Sequence, residues 1–335
     1  MKIGTIDIDR DVLVIAEIGN NHEGDMGRAE EMIHRAAEAG AQAVKFQTIM
    51  PERLVAPDQT ARLAQLKRFE VDAANHQRLA EAAHRAGAMF LSTPFALPAV
   101  DLLDPLVPVY KIASGDNDFV PLLEKVAATA KPIILSTGMT TLPDVQRAKE
   151  AIEAVWRANG NNPGLVLLHC ASAYPTPVAE ANLLAIRTLA QLGRPVGYSD
   201  HTLGIDAAVA AVAVGARVIE KHFTLSKTQS EFRDHALSAE PAELREMITR
   251  IKSLQELLGD GVKRIVPSEQ ASAGAARRSI CAARALPAGH VLTAADLDWL
   301  RPAGGLPPAE TGRVIGKRLR RALAAGERLT QDSIG

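Results

Sequence analysis

Short apolar segments alternate with longer segments of helical periodicity over about the first 260 of the 335 residues. The apolar segments are residues 12–19, 43–48, 89–95, 109–116, 132–138, 165–173, 195–202 and 217–224. Helical patterns follow them, for example at 27–39, 75–86, 142–158, 206–214 and 241–258. Eight strand–helix units in this order predict an α/β fold, a (β/α)8 TIM barrel.

The main alternative is a doubly wound open sheet. Such a sheet usually carries a glycine-rich dinucleotide fingerprint directly after its first strand. Residues 19–24 read Gly-Asn-Asn-His-Glu-Gly, which is not that fingerprint. The sequence therefore favours the barrel.

Composition limits the partners and the compartment. The formal net charge is −1, which argues against nucleic acid or an anionic membrane as the main partner. Cys170 and Cys281 are the only cysteines, so no disulfide framework is expected and a reducing cytoplasm is predicted. We find no signal-peptide pattern and no apolar run of membrane-spanning length.

Polar residues concentrate where the predicted strands end. Parallel barrels gather their chemistry at the carboxyl ends of the strands, and a buried lysine is costly unless it is paired. A barrel interior without chemistry would be layered with Val, Ile and Leu instead. The residues at these ends include Glu17, Lys45, Gln47, Thr93, Lys111, Ser114, Asp116, Ser136, Tyr174, Ser199, His201 and His222.

Two histidines stand at the ends of the seventh and eighth predicted strands. His201 lies in Ser-Asp-His-Thr and His222 in Glu-Lys-His-Phe-Thr. Two imidazoles from neighbouring strands can hold one divalent metal ion. The alternative is a pair of buried, hydrogen-bonded histidines, and the surrounding carboxylates, lysines and hydroxyls favour the metal.

The pattern changes after residue 261. We predict a barrel over residues 1–265, a linker over 266–278 and a small domain over 279–335. The small domain contains an approximate repeat, since Ala285-Leu286, Ala288-Gly289 and Leu292-Thr293 recur as Ala322-Leu323, Ala325-Gly326 and Leu329-Thr330. Two similar halves related by a pseudo-twofold axis are expected. A module of this size has a small core and gains stability by docking on another surface.

Ten short motifs follow one another along the barrel part of the chain. They are Ile15-Ala16-Glu17-Ile18-Gly19, Asn21-His22-Glu23-Gly24, Val44-Lys45-Phe46-Gln47-Thr48, Ser92-Thr93-Pro94-Phe95, Tyr110-Lys111-Ile112, Leu135-Ser136-Thr137-Gly138, Leu168-His169-Cys170, Tyr174-Pro175-Thr176-Pro177, Ser199-Asp200-His201-Thr202 and Lys221-His222-Phe223-Thr224. In this order they give the chain a resemblance to the sialic acid (N-acetylneuraminate) synthase family, which includes the legionaminate and pseudaminate synthases. The tail, with Arg277-Arg278-Ser279 and Arg301-Pro302, resembles the antifreeze-like (SAF, β-clip) domain of that family.

The resemblance implies a transferase that forms a carbon–carbon bond. Phosphoenolpyruvate condenses with the open-chain aldehyde of N-acetylmannosamine or a related N-acyl hexosamine, giving a nine-carbon 2-keto sugar acid and phosphate. Plain mannose and a 2,4-diacetamido-6-deoxy hexose remain open as acceptors. The implied metal is Mn²⁺, with Mg²⁺ as the alternative, because only two protein ligands leave positions for water and substrate.

The resemblance also implies roles for individual residues. Catalytic roles fall to Glu17, Asp116, Lys45 and His222. The metal ligands are His201 and His222. Phosphoenolpyruvate needs cations and hydroxyls, which are Lys45, Thr93, Lys111, Ser114, Ser136 and Ser199. The sugar is expected at Gln47, Tyr174, Asp234 and Arg301.

The chain departs from the family pattern at two of these positions. Asp116 stands where the best-known bacterial members carry glutamate, so its carboxyl group is about one carbon further from the reaction. Its other possible role is to cap the following helix. The Gly-Pro pair usual before Asp234 is missing.

Arg301 either belongs to a solvated basic face or, as the family implies, closes the barrel mouth of a second subunit in a domain-swapped homodimer. Two other functions remain open for the whole chain. A class I aldolase would use Lys45, Lys111 or Lys221 as a Schiff-base nucleophile. A homologue without turnover would only bind sugar.

Overall fold

All eight predicted apolar segments form strands in the computed structural model, which describes residues 1–335. A short N-terminal hairpin precedes them and consists of β1 (Lys2–Ile3) and β2 (Ile6–Asp7). The eight strands are β3 (Leu13–Gly19), β4 (Ala43–Thr48), β5 (Met89–Pro94), β6 (Tyr110–Ile112), β7 (Ile133–Ser136), β8 (Leu165–Cys170), β9 (Val196–Asp200) and β10 (Val218–His222).

These strands form one parallel sheet in the order β5-β4-β3-β10-β9-β8-β7-β6. β3 and β10, the first and last of the eight strands along the chain, pair with each other in parallel, which closes the barrel. The remaining ends of the order, β5 and β6, lie beside each other. The predicted TIM barrel is therefore confirmed, and the open sheet is excluded.

Helices follow the strands on the outside of the barrel. The predicted helices 142–158 and 241–258 match α7 and α11 at both ends, and each begins with a capping box and a proline in its first turn. The helices of this part of the chain are α1 (Met26–Glu38), α2 (Pro51–Leu54), α3 (Thr60–Lys67), α4 (Ala73–Arg85), α5 (Leu97–Leu103), α6 (Val120–Ala128), α7 (Leu142–Ala158), α8 (Ala185–Ala190), α9 (Asp206–Ala213), α10 (Asp234–Leu237) and α11 (Pro241–Leu258).

The inward face of the strands is apolar at their amino ends. Alternate residues point inward because a strand has a period of two. Ile3 of the hairpin and Ile8, directly after it, are fully buried against this layer and close the amino-terminal end of the barrel. The layer contains Leu13, Ile15, Ala43, Leu91, Val109, Ile134, Val166, Leu168 and Val218. The only opening left for a ligand is at the carboxyl ends of the strands.

The outward strand residues pack against the helices. Val44 and Phe46 of β4, for example, are buried together with Met32 of α1 and Leu79 of α4. Burying one such side chain contributes about 1.5–3 kcal/mol. Apolar packing on both faces of the strands therefore holds them in place independently of the polar residues at their carboxyl ends.

Two long connections lie at the carboxyl ends of β4 and β10. The segment from 49 to 72, which shows no clear periodicity in the sequence, contains α2 and α3. The segment from 225 to 238 contains α10. Phe69 and Phe232 join the two connections, with ring centroids 5.1 Å apart. The barrel mouth is therefore bordered by two segments in mutual contact.

The chain divides into two compact units, residues 1–259 and 260–335. The predicted linker region includes a short helix, α12 (Gln270–Ala276). The second unit then contains β11 (Ser279–Ala282), β12 (Leu297–Leu300) and α13 (Thr311–Val314). No helix in either unit is both long and apolar enough to span a bilayer.

The repeat in the tail has a structural counterpart. Leu286 and Leu323, equivalent in the two halves, exchange backbone hydrogen bonds of 2.9 Å in both directions. Gly289 and Gly326 both adopt positive φ values, 83° and 79°, that favour glycine. Equivalent positions thus face each other across a local twofold relation, as the repeat predicts.

One glycine is required by the close packing of the barrel interior. A Cβ on Gly197 of β9 would lie 2.3 Å from the Val218 carbonyl oxygen and 2.5 Å from Leu168 Cδ2. We predict that Gly197→Ala lowers the free energy of unfolding by about 1–3 kcal/mol, measured by chemical denaturation. Gly115→Ala, whose Cβ would meet nothing within 4 Å, is the matched control and should change stability by much less. Equal effects of the two substitutions would contradict this packing argument.

Candidate functional site

The inward positions become polar towards the carboxyl ends of the strands. Glu17 is the next inward residue after Ile15 in β3, as Lys45 is after Ala43 in β4. The β3–β4 register shifts between Glu17 and Gly19, and Gly19 has φ 55°. Irregularities of this kind redirect side chains next to binding sites. The same period of two thus produces an apolar floor and a polar mouth.

Four charged side chains meet in this polar layer. Lys45 Nζ lies 2.7 Å from Glu17 Oε2 and 3.9 Å from Glu220 Oε2. Lys111 Nζ lies 3.6 Å from Glu220 Oε1. Each of these four residues is at most 5% exposed. Their formal charges sum to zero, which makes the burial of two ammonium groups tolerable.

Hydroxyl groups surround the two lysines. Lys45 Nζ donates to Thr93 Oγ1 at 3.1 Å, and Lys111 Nζ donates to Ser136 Oγ at 2.7 Å. Ser199 Oγ donates to Glu220 Oε1 at 3.0 Å. Ser114 Oγ accepts from the backbone N–H of Gly138 at 3.0 Å. The predicted phosphoenolpyruvate residues are therefore brought together around two cations.

Burial controls the protonation of this cluster. It raises the pKa of Glu17, since Lys45 offsets only part of the lost hydration. Burial alone would also raise the pKa of Glu220, but Lys111 and Lys45 outweigh it and lower that pKa. Burial, opposed in part by Glu220, lowers the pKa of Lys111. Glu17 is thus the carboxylate of the cluster that accepts a proton most readily.

His201 and His222 lie next to this cluster, with ring centroids 5.3 Å apart, and His222 is paired with Glu17 across β10 and β3. His201 Nδ1 is 2.9 Å from the Ala171 carbonyl oxygen, and donation there leaves Nε2 as the free lone pair. His222 Nδ1 is buried without a hydrogen-bond partner. Burial, followed by the effect of His201, lowers the pKa of His222 well below its usual value, so this ring is neutral.

A neutral ring with an unpartnered buried nitrogen fits a metal ligand. No group of three or more His, Cys, Asp or Glu side chains in the chain is arranged to hold one metal ion. The two imidazoles therefore fit a metal that takes its other ligands from water or substrate.

Tyr174, Gln47 and Arg233 form the outer part of the site. The Tyr174 ring lies 4.1 Å from the His201 ring, centroid to centroid, and the Arg233 guanidinium lies 4.6 Å from the Tyr174 centroid. Gln47 Nε2 donates to Glu17 Oε1 at 3.3 Å, while its Oε1 accepts from Asn20 at 2.8 Å. These polar and aromatic groups suit a hydroxylated ligand.

Asp116 ends a short 3₁₀ turn, Ser114–Asp116, whose first two residues line the cavity. It does not cap α6, because the N-cap of that helix is Phe119. Its Oδ2 atom is buried without a partner, and burial together with Asp118 raises its pKa to about 6. The carboxyl group itself is not among the groups that line the cavity.

Two predicted sugar residues also lie outside the cavity wall. Asp234 is buried at the start of α10, where Arg233 Nε donates to its Oδ1 at 3.2 Å. Its neighbour Arg233 lines the cavity instead. Arg301 belongs to the second unit and is exposed there.

The resulting cavity has a volume of about 350 Å³. Of the 14 predicted site residues, 11 line it, namely Glu17, Lys45, Gln47, Thr93, Lys111, Ser114, Ser136, Tyr174, Ser199, His201 and His222. Sequence reasoning missed Glu220, Cys170, Met139, Phe95 and Arg233, which also line it. The signal for Glu220 was available, since it is two residues before His222 on the same strand face.

Lys221 has a different environment from the other two lysines. It points away from the barrel interior, its side chain has no exposed surface, and its Nζ lies 2.9 Å from Asp200 Oδ2. A substrate in the cavity cannot reach this amine. Lys221 is therefore excluded as a Schiff-base nucleophile.

Known proteins resemble this chain over nearly its whole length. An uncharacterized protein from Methanocaldococcus jannaschii is 43% identical over 92% of this chain and 90% of its own length. The N,N'-diacetyllegionaminic acid synthase of Campylobacter jejuni is 39% identical over 91% of this chain and 95% of that protein.

Structural comparison gives a consistent result. The crystal structure of N-acetylneuraminic acid (sialic acid) synthetase from Leptospira borgpetersenii, in complex with citrate, matches with a TM-score of 0.76 and 35% identity. The match covers 81% of this chain and 94% of that one. Residues 277–334 match the SAF domain, and residues 32–263 match the NeuB family. The chain belongs to the NeuB family.

Proposed function

We propose that this protein is a phosphoenolpyruvate-dependent nonulosonic acid synthase. C3 of phosphoenolpyruvate attacks the aldehyde carbon of an open-chain N-acyl hexosamine, which forms the new carbon–carbon bond. Water adds at C2, and the C2–O bond to phosphate breaks, so that inorganic phosphate leaves and a 2-keto acid remains. The aldehyde oxygen takes up a proton and becomes a hydroxyl group.

One observation carries this proposal: two lysines with their hydroxyl partners share a single cavity with two histidines. Phosphoenolpyruvate carries a carboxylate and a phosphate, and Lys45 and Lys111 supply two separate cations for them. The hydroxyl groups of Thr93, Ser136 and Ser199 form hydrogen bonds with Lys45, Lys111 and Glu220, respectively. Rotation of these hydroxyl groups would let them bond to oxygens of the ligand instead. The relatives are named as synthases for two different nonulosonic acids.

His201 and His222 are the residues that would hold a divalent metal, and we propose Mn²⁺, with Mg²⁺ as the alternative. Such an ion supplies a Lewis acid for a carbonyl oxygen. The bond from His201 Nδ1 to the Ala171 carbonyl fixes the ring orientation, and burial keeps His222 neutral. His222 therefore presents an unprotonated nitrogen at neutral pH. Burial alone would lower the pKa of His201, but the Cys170 thiol and the Ala171 carbonyl outweigh it and raise that pKa, so metal binding there would displace a proton.

Two carboxyl groups handle protons in the proposed reaction. Glu17 lies in the cavity with a raised pKa, which suits proton donation to the oxygen of the former aldehyde. Asp116 is further out, and its role is to orient the attacking water through a bridging water molecule. A pKa of about 6 keeps Asp116 ionised at neutral pH.

We propose that residues of two subunits together form the binding site for the acceptor sugar. Gln47 and Tyr174 face the sugar from the barrel, and Asp234 acts through Arg233, to which it is bonded. Arg301 completes the site from the SAF domain of a second subunit in a domain-swapped homodimer. The protein acts in the cytoplasm, in keeping with two buried free thiols, Cys170 and Cys281.

A class I aldolase mechanism has less support. It requires a lysine whose amine is uncharged, and Glu17 and Glu220 outweigh the effect of burial and raise the pKa of Lys45. Lys221 is outside the cavity. Lys111 is the remaining candidate, and the metal dependence of the reaction separates the two mechanisms.

The first test is a phosphate-release assay with phosphoenolpyruvate, Mn²⁺ and a panel of acceptors. The panel contains N-acetylmannosamine, a 2,4-diacetamido-6-deoxy hexose and mannose. We expect acceptor-dependent phosphate release that EDTA abolishes and Mn²⁺ restores, and His222→Ala should lower it by at least about 100-fold.

Each other result in this assay has a definite meaning. Turnover that persists in EDTA and is trapped by borohydride with a keto substrate would identify the aldolase. Sugar binding without phosphate release from any acceptor would identify a homologue that has lost turnover.

The second test concerns the pH dependence that Asp116 imposes. Its carboxylate form predominates only above pH 6, so kcat/KM should fall as the pH drops through about 6. Asp116→Asn should be slower and lose the part of this decline that residue 116 causes, whereas Asp116→Glu should retain activity and that part of the decline. Ionisation of the substrate phosphate is common to all three profiles, so their difference isolates residue 116. Parallel profiles for wild type and Asp116→Asn would rule out this role.

The third test concerns the SAF domain. Arg301→Ala should raise KM for the acceptor by about 10-fold or more, with KM for phosphoenolpyruvate unchanged, because a charged hydrogen bond to the sugar is lost. Deleting residues 277–335 should abolish sugar turnover while the barrel, a compact unit by itself, still folds by circular dichroism. A truncated protein with full activity would contradict the proposed contribution of a second subunit.

A further inference from the structure

A buried ion pair lies directly behind the two histidines. Asp200 and Lys221 are paired across β9 and β10, and Lys221 Nζ lies 2.9 Å from Asp200 Oδ2. Neither side chain has any exposed surface. Because strand residues alternate, both point outward into the apolar layer under the helices, whereas their neighbours His201 and His222 point inward.

The same two side chains also fix the turn that carries His201. Asp200 Oδ1 accepts from the backbone N–H and the hydroxyl of Thr202, both at 2.8 Å. Lys221 Nζ donates to the Thr202 carbonyl oxygen at 2.6 Å. The residues on either side of His201 are therefore bonded to each other and to the residue before His222.

Stability alone does not account for a charged pair at this place. Removing two charges from water is costly, and apolar side chains of similar volume often serve as well or better. Tyr198, the previous outward residue of β9, belongs to the apolar core, as do Ala208 of α9 and Leu244 of α11. What the ion pair adds is a fixed relative position of two strand ends.

We propose that Asp200 and Lys221 are positioning residues that hold the His201 and His222 rings at the separation at which they bind a divalent cation. The inference rests on the proposed function, since it assumes a metal at these two histidines. In this inference Lys221 positions the histidines from outside the cavity and does not contact the substrate. Loss of the pair should let the His201 turn move relative to β10 and weaken metal binding.

The test uses the full-length, metal-free protein and Mn²⁺ alone, with no substrate. The double variant Asp200→Asn/Lys221→Met removes both charges, conserves volume and retains an oxygen for the Thr202 turn. The matched control is Glu153→Gln/Arg194→Met, which removes a partly buried pair on the outside of the barrel, joined by a 2.8 Å bond from Arg194 Nε to Glu153 Oε1. His222→Ala marks complete loss of the site. Free Mn²⁺ is followed by electron paramagnetic resonance.

We expect the double variant to bind Mn²⁺ about 10-fold or more weakly than wild type, the usual effect of losing a partner behind a metal ligand. The control variant should bind as wild type does. The melting temperature of the double variant should stay within about 4 °C of wild type. With saturating Mn²⁺, KM for phosphoenolpyruvate should be unchanged. General damage to the barrel would raise this KM, so the measurement separates the two explanations.

Two results would overturn the inference in distinguishable ways. Equal Mn²⁺ affinity of wild type and double variant would refute it and leave the proposed function standing. Wild-type protein whose Mn²⁺ binding is absent, or unaffected by His222→Ala, would refute the proposed metal site and this inference together. If the double variant does not fold, Asp200→Asn/Lys221→Gln decides, because it leaves no unpaired buried charge and keeps polar groups at both positions, with the same 10-fold weakening expected and wild-type affinity as the refuting result.

Discussion

The structure depends on the mutual neutralisation of four charges inside a barrel. Lys45, Lys111, Glu17 and Glu220 would each be prohibitively expensive to bury alone, yet together they carry no net charge. Tight packing below them, from Ile3 to Val218, keeps water out of the floor. The cluster is therefore stable without a ligand and still presents two cations to one.

Strand polarity explains why this cluster forms where it does. A parallel barrel has one end at which all strands begin and one at which all end, and here the hairpin closes the first. The inward positions of a strand recur every second residue, so the sequence Leu13, Ile15, Glu17 proceeds from floor to mouth. The side chains that line the cavity within this barrel then come from the strand ends and the loops after them.

The sequence predicts most of this architecture because strand and helix periods are strong local signals. The eight apolar runs all became strands, and α7 and α11 were predicted to the residue. The short helices α2 and α3 were missed, since they lack the long apolar stripe that periodicity detects. Glu220 was missed although the period of two indicated its direction. Arg233 could not be found this way, because loop geometry decides whether it or Asp234 faces the cavity.

The neutral cluster has a consequence for the proposed reaction. An incoming trianion competes with Glu17 and Glu220 for the same two ammonium groups, so bound ligand adds negative charge to a buried cluster that was neutral. Glu220 is held by Lys111, Lys45 and Ser199, which lower its pKa, whereas burial already raises the pKa of Glu17. Proton uptake therefore falls on Glu17. In the proposed mechanism the protonated carboxyl group of Glu17 would then donate to the aldehyde oxygen as that oxygen becomes negative, so that binding of the first substrate would prepare the acid that the second requires.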